Sequence, residues 1–301
     1  MAKQLYLLIS LIFLLACADR SKKAENKKPV FKSTFESFNY TPPAPINGKK
    51  KAAIVIGSAG FDAFVINADT AGRWELEKAS YGESNVINNT VTIENIRKGI
   101  EKYRDSITIR GITKDDIQIL ISSSAAENKK LKSIIDELST TYSFISVTEE
   151  EEAYYAFRAV VPSEFIKESF AVDMGSGNTK ISWQEGSKVK TLDTFGSMFF
   201  IDSLDHTKVS SSIKNLIESI DTENTYNCFM LGGVPYELSR DLQKFNDRYT
   251  VIKKFDSVDA STPKLQSGLA ILKGIKNGTS CENFIFDWNS NFAIGYLLEM
   301  D

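Results

Sequence analysis

Apolar residues divide the chain into a leader, a polar segment and a long region of alternating elements. A nearly continuous apolar run covers Leu5–Ala16, and residues 18–29 contain almost no large apolar side chains. From Lys51 onward, short apolar runs typical of β-strands alternate with segments in which apolar residues recur every three or four positions. This alternation predicts an α/β architecture over roughly 250 residues, which is enough for one large domain or two small ones.

The same patterns place individual elements along this region. The predicted strands that bear on function are Ala52–Gly57, Ala63–Ala68, Ile117–Ser122, Phe170–Met174 and Lys180–Gln184. The predicted helices include Ile93–Tyr103, Leu131–Leu138, Glu149–Val160, Val209–Ile220 and Pro263–Ile275. The last segment, Asn291–Asp301, fits either an added strand or a helix that crosses back over the fold.

The first residues carry the pattern of an export signal. Lys3 precedes the apolar run, whose length fits a signal peptide and falls short of the roughly 20 apolar residues that span a bilayer. The sequence Leu14-Leu15-Ala16-Cys17 resembles a lipobox, where signal peptidase II cleaves before a cysteine that is then acylated. We therefore expect residues 1–17 to be a lipoprotein signal with lipidation at Cys17. A buried core helix or an uncleaved membrane anchor is the alternative.

The predicted lipid sets the expected location of the protein. Acyl chains on Cys17 would insert into a membrane through burial of their methylene groups, so the membrane contact would be made by lipid. This places the protein in the bacterial cell envelope, on the periplasmic face or at the outer membrane. Residues 18–50 are then predicted to form a flexible tether, because their polar first half cannot bury enough surface to offset the entropy of ordering.

Composition narrows the chemistry of the remaining chain. The net charge is −3 and no basic patch stands out, which argues against a nucleic-acid partner. Beside Cys17 there are only Cys228 and Cys281, which fit either a disulfide or two buried thiols. His206 is the only histidine and has no nucleophile motif near it, so a surface position is expected. The oligomeric state is not fixed by the sequence.

An internal repeat organises the folded region. Ala53–Phe64 and Ala171–Ser182 share one pattern, an apolar strand, a Gly-Ser turn and a second apolar strand, at an offset of 118 residues (171 − 53). The repeat predicts two similar α/β subdomains, at residues 51–168 and 169–301. Ligands favour the cleft between such halves, so we expect the functional site there.

The two Gly-Ser turns suit the binding of phosphate groups. Glycine lets the backbone approach a ligand closely, and successive N–H groups in such a turn can cradle an anion. The predicted phosphate contacts are Gly57, Ser58, Gly175, Ser176, Gly177 and Thr179. Asp173, at the end of the strand before the second turn, can hold a hydrated Mg²⁺ ion. Plain β-hairpins are the alternative, since glycine, serine and asparagine are common hairpin residues.

In their order and spacing these motifs resemble the exopolyphosphatase and guanosine pentaphosphate phosphatase (Ppx/GppA) family of the actin-like ATPase superfamily. Ala53–Phe61 is similar to the family's opening strand and loop, Ser146–Ala153 lies where the family has S-G-x-E-E-A, and Asp173–Lys180 is similar to D-I-G-G-G-S-T-E. Gly232 and Gly233 resemble a later glycine pair. The resemblance implies two ribonuclease-H-like subdomains, with a polyanionic phosphate ligand in the cleft between them.

The resemblance also implies roles for individual residues. Glu151 would be the general base that activates water against a terminal phosphoanhydride, Glu152 would support it, and Asp173 would help to hold Mg²⁺ or that water. Gly232 and Gly233 would join the phosphate contacts. The alternative for the acidic run is an ordinary helix N-terminus, where carboxylates are favoured by the helix dipole and Thr148 can cap.

The sequence departs from the family pattern at charged positions. Val55 replaces an expected aspartate, Lys180 stands where the family usually has glutamate, and Ser122–Glu127 lacks an expected arginine. Two hypotheses therefore remain: a divergent Mg²⁺-dependent phosphoanhydride hydrolase, and a catalytically degenerate binding or scaffold module on the cell envelope. A small-molecule kinase is a third, and the export signal argues against it because ATP is scarce outside the cytoplasm.

Overall fold

The structure is a computed structural model that describes residues 37–300, apart from short gaps at 221, 244–246, 254, 256–257, 280 and 282. The predicted signal, Cys17 and most of the predicted tether lie outside the described residues. Within the described part of the chain, no helix has the length and apolar character needed to cross a membrane.

The described residues form two mixed β-sheets with flanking helices. The strands are β1 (Lys49–Ile56), β2 (Phe61–Ala68), β3 (Trp74–Ser80), β4 (Ile117–Ile121), β5 (Ile145–Ser146), β6 (Ser169–Met174), β7 (Asn178–Glu185), β8 (Lys188–Phe195), β9 (Asn227–Gly232), β10 (Tyr249–Ile252) and β11 (Asn283–Asp287). The helices are α1 (Ile93–Thr108), α2 (Ser123–Ala126), α3 (Lys129–Leu138), α4 (Glu149–Val160), α5 (His206–Ile217), α6 (Gly233–Ser239), α7 (Pro263–Thr279) and α8 (Phe292–Glu299).

β1 lies at the centre of the first sheet, whose strand order is β3-β2-β1-β4-β5. It pairs antiparallel with β2 and parallel with β4, and Ala52–Ile56 is almost fully excluded from solvent. A strand with neighbours on both edges and cover on both faces needs a continuous apolar run. The apolar residues of Ala52–Ile56 provide that run, which explains why this segment forms the centre of the sheet.

β6 holds the matching central position in the second sheet, whose order is β10-β11-β9-β6-β7-β8. In the first hairpin Ala53 lies opposite Phe64, and in the second Ala171 lies opposite Ser182. The two hairpins therefore have the same register at the offset of 118 residues that the sequence carries (171 − 53 and 182 − 64). The predicted α/β class and the predicted repeat are both confirmed.

The last helix crosses back to the first half of the chain. α8 packs against α4 and also contacts β1 and β2. Its residues Phe292, Ile294 and Leu297 are buried in a hydrophobic cluster that includes residues of both sheets. β6 begins at Ser169, where the sequence predicts the second subdomain to start, but α8 belongs by its packing with the first half. Of the two alternatives for the final segment, the structure has the returning helix.

Two aromatic residues before β1 also pack against the core. The ring of Phe38 lies 5.0 Å from that of Phe165 and 5.4 Å from that of Phe229, measured between centroids. The Tyr40 hydroxyl donates a hydrogen bond of 2.8 Å to Glu164. This part of the predicted tether is therefore packed against the fold, because its aromatic side chains find apolar partners there. β1 itself begins at Lys49.

The described cysteines and the histidine all lie in the second half of the chain. Cys228 and Cys281 are both buried, and burial raises the pKa of Cys228 well above its ordinary value. The hydroxyl of Ser267 lies 3.5 Å from Nε2 of His206. His206 is half-buried rather than at the surface, with its ring centroid 5.3 Å from that of Phe199. The expectation of a surface histidine is corrected, since the first turn of α5 packs this ring against an aromatic neighbour.

Gly295 provides a test of the contact between α8 and α4. A Cβ atom at this position would lie 1.8 Å from the carbonyl oxygen of Tyr155 in α4, so the two helices could not keep their present distance. We expect Gly295→Ala to lower the free energy of unfolding by about 1–3 kcal/mol, measured by denaturant titration. Ser133→Ala, on the exposed side of α3, serves as the control. An unchanged midpoint for Gly295→Ala would contradict this packing.

Candidate functional site

The predicted phosphate turns meet at the ends of the central strands. The hydroxyl oxygens of Ser58, in the turn after β1, and Ser124, in the short helix α2 that follows the turn after β4, share a hydrogen bond of 2.7 Å. A Cβ atom on Gly177, in the turn after β6, would lie 2.7 Å from the Cβ of Ser124 and 3.2 Å from the hydroxyl oxygen of Ser58. Only glycine fits at 177, and the three turns are in direct contact.

Some backbone groups of these turns are bonded within the protein. The N–H of Gly57 donates to the carbonyl oxygen of Gly60 at 2.8 Å, which closes the first hairpin turn. In the second turn the carbonyl oxygens of Gly175 and Ser176 accept from the backbone N–H groups of Ser197 and Met198. Thr179 is fully buried on β7, and its hydroxyl has no hydrogen-bond partner among the described residues.

The predicted glycine pair lies where β9 ends and α6 begins. Gly232 is the last residue of β9 and Gly233 the first of α6. The amino group of Lys264 lies 3.2 Å from the position that a Cβ atom on Gly233 would take. A cation therefore stands beside this pair, and Gly232 pairs with Met174, the last residue before the second turn.

The acidic run at the start of α4 divides into capping and buried residues. Glu151 accepts hydrogen bonds from the N–H of Thr148 at 2.8 Å and from its hydroxyl at 3.0 Å, and the N–H of Glu151 donates back to that hydroxyl. This reciprocal arrangement is a capping box, and the Glu151 side chain is exposed. Capping therefore holds Glu151 at the helix end, while Glu152 is buried; the role of Glu151 as a general base stays a prediction.

Glu152 forms a buried ion pair with Lys180. One carboxylate oxygen accepts from the amino group of Lys180 at 2.7 Å, and the other accepts from the backbone N–H of Ser123 at 2.7 Å. The exposed fractions of the two side chains are 2% for Lys180 and 5% for Glu152. Lys180 also donates to the side-chain oxygen of Asn178 at 2.6 Å, and Asn178 donates to Asp193 at 2.8 Å. One network therefore links α4, the start of α2, β7 and β8.

Two further carboxylates flank this ion pair on the second sheet. Asp173 of β6 lies opposite Lys180 of β7, which in turn lies opposite Asp193 of β8. Burial, and to a lesser degree Glu152, raise the pKa of Asp173 above its ordinary value, and Lys180 opposes this shift. Burial and then Glu149 raise the pKa of Asp193 to about 6. The cluster holds three carboxyl groups around one ammonium group. Because burial raises the pKa of Asp173 and of Asp193, it favours the neutral, protonated forms of these two.

The residues around Asp173 do not fit the Mg²⁺ ion that the sequence suggests. Both oxygens of Glu152 already accept hydrogen bonds, and Lys180, on the strand between those of Asp173 and Asp193, holds its ammonium group on Glu152 and Asn178. In the described residues no group of three or more His, Cys, Asp or Glu side chains could hold a metal ion. A fixed cation in this position repels a second one, so Lys180 supplies the positive charge that a metal would otherwise bring.

A groove runs along the outer side of the second turn. Its volume is about 670 Å³, and its walls come from both halves of the chain. Three carboxylates line it, Glu127, Glu149 and Asp193, together with hydroxyl and amide groups, and no lining residue is basic. The sequence could not place this groove, because it depends on how β8 and α5 approach the start of α4.

Comparison with protein-family models gives no match to this sequence, and comparison with curated proteins gives none either. Comparison with solved structures gives clear similarities. A Ppx/GppA family member from Aquifex aeolicus aligns with a TM-score of 0.60 at 15% identity, covering 83% of this chain and 97% of that chain. An exopolyphosphatase from Cytophaga hutchinsonii aligns with a TM-score of 0.64 at 11% identity, covering 82% and 96%.

A third structure, described as an exopolyphosphatase-like protein, aligns with a TM-score of 0.63 at 11% identity and covers 84% of this chain and 98% of its own. At such identities the similarity concerns the fold, and it extends over nearly the whole length of each of these structures. In both sheets the two following hairpin strands lie on one side of the central strand and a parallel strand lies on the other. This arrangement and the flanking helices agree with the similarity in fold. The chain therefore has the two-subdomain, actin-like ATPase fold of the Ppx/GppA structures.

Proposed function

We propose that this protein is a binding module of the bacterial cell envelope, built on a Ppx/GppA-like fold and without phosphoanhydride hydrolase activity. The observation that carries the proposal is the buried ion pair between Lys180 and Glu152. A carboxylate that acts as a general base must be able to reach a water molecule and accept its proton. Glu152 is instead held by an ammonium group and a backbone N–H at 2.7 Å each.

The charges around the turns support the same proposal. Phosphate sites in proteins are built from Arg, Lys, backbone N–H groups and metal ions, because these neutralise the ligand. Here the groove beside the second turn carries three carboxylates and no basic residue. The one lysine in the cluster is already paired with Glu152. A polyphosphate or nucleotide that entered this groove would meet carboxylates of its own sign.

The packing of the turns also argues against a phosphate between them. Ser58 and Ser124 are hydrogen-bonded to each other, and Gly177 lies in contact with both. A phosphate group would have to break the contact between Ser58 and Ser124 before it could enter. Binding there would therefore require these segments to move apart, and the groove beside them offers no basic residue to compensate for that cost.

The alternative is a phosphoanhydride hydrolase that uses Glu151 as its base with Mg²⁺. The similarity to exopolyphosphatase structures favours this alternative. It requires Glu151 to leave the capping box with Thr148, or Glu152 to leave Lys180. The cation beside the glycine pair, Lys264, would be the available phosphate contact in that case.

Phosphate release separates the two alternatives. We expect the full chain, incubated with polyphosphate, ATP or guanosine pentaphosphate and Mg²⁺, to release no more phosphate than its Glu152→Gln variant, measured by a colorimetric phosphate assay. The physical reason is that Glu152 is neutralised before any substrate arrives. Release that Glu152→Gln abolishes would refute the proposal, and release that only Glu151→Gln abolishes would support Glu151 as the base.

The stability of the ion pair is a second test. We expect Lys180→Met to lower the free energy of unfolding by about 3–5 kcal/mol, because it leaves Glu152 buried without its counter-charge. The double variant Glu152→Gln with Lys180→Met should recover most of this loss, since glutamine can still accept from the N–H of Ser123. Denaturant titration measures both variants. Lys214→Met, in an exposed pair with Glu218, is the matched control and should change stability by less than about 1 kcal/mol.

The proposed location depends on lipid at Cys17. We expect a bacterial host to incorporate a labelled fatty-acid analogue into the protein, with complete loss of label in Cys17→Ser. Cys228→Ser is the matched control and should keep the label, because this thiol is buried. Label that persists in Cys17→Ser would contradict the envelope anchor while leaving the proposal for the ion pair intact.

A further inference from the structure

Residues 38–46, which we call the strap, precede β1 and contact the second half of the chain. The ring of Phe38 lies 5.4 Å from that of Phe229 in β9 and 5.2 Å from that of Tyr249 in β10, measured between centroids. The ring of Tyr40 lies 6.2 Å from that of Tyr249. Two aromatic side chains thus fix one end of the strap to the second sheet.

The other end of the strap is fixed to the first half of the chain. The N–H of Ile46 donates a hydrogen bond of 2.8 Å to the carboxylate of Asp69, in the turn between β2 and β3. The guanidinium of Arg73, at the end of the same turn, donates to this carboxylate at 2.7 Å. The bond from Ile46 is the largest of the causes that lower the pKa of Asp69 to about 2, so the acceptor stays ionised.

The residues between these two attachments form a stiff spacer. Three of the five residues 41–45 are prolines, Pro42, Pro43 and Pro45, and the segment is neither helix nor strand. Proline fixes its φ angle, and proline-rich segments are extended and semi-rigid. At about 3.1 Å per residue, the chain from Tyr40 to Ile46 spans about 19 Å. Such a spacer keeps its two ends at a set separation, which a glycine-rich spacer does not.

A second contact between the halves lies beside the strap. The turn that binds Ile46 leads into Trp74 at the start of β3, and the guanidinium of Arg248 lies 4.1 Å from the centroid of the Trp74 ring. Arg248 directly precedes Tyr249, and its guanidinium donates to Asp287 at 2.9 Å. The strap, the β2–β3 turn, Trp74 and Arg248 therefore form a closed ring of contacts that includes both sheets.

This ring of contacts lies at the opposite end of β1 from the candidate site. β1 begins at Lys49, just after the strap, and ends before the turn that contains Ser58. Its eight residues extend over about 25 Å, at about 3.3 Å per residue. The halves therefore meet at two separate places, the strap at one end and the buried pair of Glu152 and Lys180 at the other.

We propose that the strap is a clasp that sets the separation of the two halves and thereby keeps the pair of Glu152 and Lys180 closed. Packed rings and a stiff spacer hold the halves at one end, so the buried pair at the other end is not pulled apart. The predicted lipidated tether joins the fold at the strap, so a pull on that tether acts first on Phe38 and Tyr40. This role is independent of whether the site hydrolyses phosphate.

Amide hydrogen exchange, measured by mass spectrometry on the full chain in detergent, tests the clasp. We expect the double variant Phe38→Ala with Tyr40→Ala to exchange at least about threefold faster in residues 122–128 and 174–180, because the halves separate there more often. Ile109→Ala is the control and should exchange as the unaltered protein does. It truncates an apolar side chain that is 87% exposed and lies outside the strap.

A second variant separates the stiffness of the spacer from the packing of the rings. Replacing all three strap prolines by glycine leaves both rings and the acceptor Asp69 in place, and we expect it to accelerate exchange in the same two segments. Unchanged exchange there in either variant would overturn the clasp. An equal acceleration in α7, which packs against α5, would also overturn it, because that result indicates a loss of overall stability. Phosphate release that depends on Glu152 would refute the proposed function and leave the clasp standing.

Discussion

The buried ion pair between Lys180 and Glu152 is the interaction on which the arrangement of the site depends. Removing two charges from water costs several kcal/mol for each ion, and this cost is offset only when geometry and further hydrogen bonds are good. Both conditions are met, since Ser123 donates to Glu152 and Asn178 accepts from Lys180. The pair thereby fixes α4 of the first half against the second sheet. The same ammonium group sets the field in which Asp173 and Asp193 titrate.

The fold could be predicted from sequence because its main signals are local. The apolar run of β1, the helical periodicities and the 118-residue repeat each depend on neighbouring residues, and the structure has them all. The sequence could not distinguish a returning helix from an added strand in the final segment, because α4, the packing partner of α8, lies far away in the chain. The end of the tether was missed for a similar reason: Phe38 and Tyr40 find their partners near Phe165 and Tyr249.

The site was predictable in position and less so in chemistry. The glycine turns lie at the strand ends that the sequence indicates, whereas the structure distinguishes Glu151, which caps α4, from Glu152, which is buried against Lys180. Successive residues of a helix point about 100° apart, so the residue at which α4 begins decides which carboxylate faces inward. Asn178 and Lys180 are two positions apart on β7, so the sequence indicates that their side chains lie on the same face of the sheet. Their partners Asp193 and Glu152 follow only from strand register and helix packing. A shared fold does not by itself fix the charges of a site.

The crossing of α8 also affects the order in which the protein can fold. This helix follows every other described element in the chain, yet it fills the space beside α4 and β1 in the first half. A chain that ends before residue 292 exposes the apolar surface that Phe292, Ile294 and Leu297 cover. The first half therefore completes its core only when α8 is available to pack, which couples its folding to that of the second half.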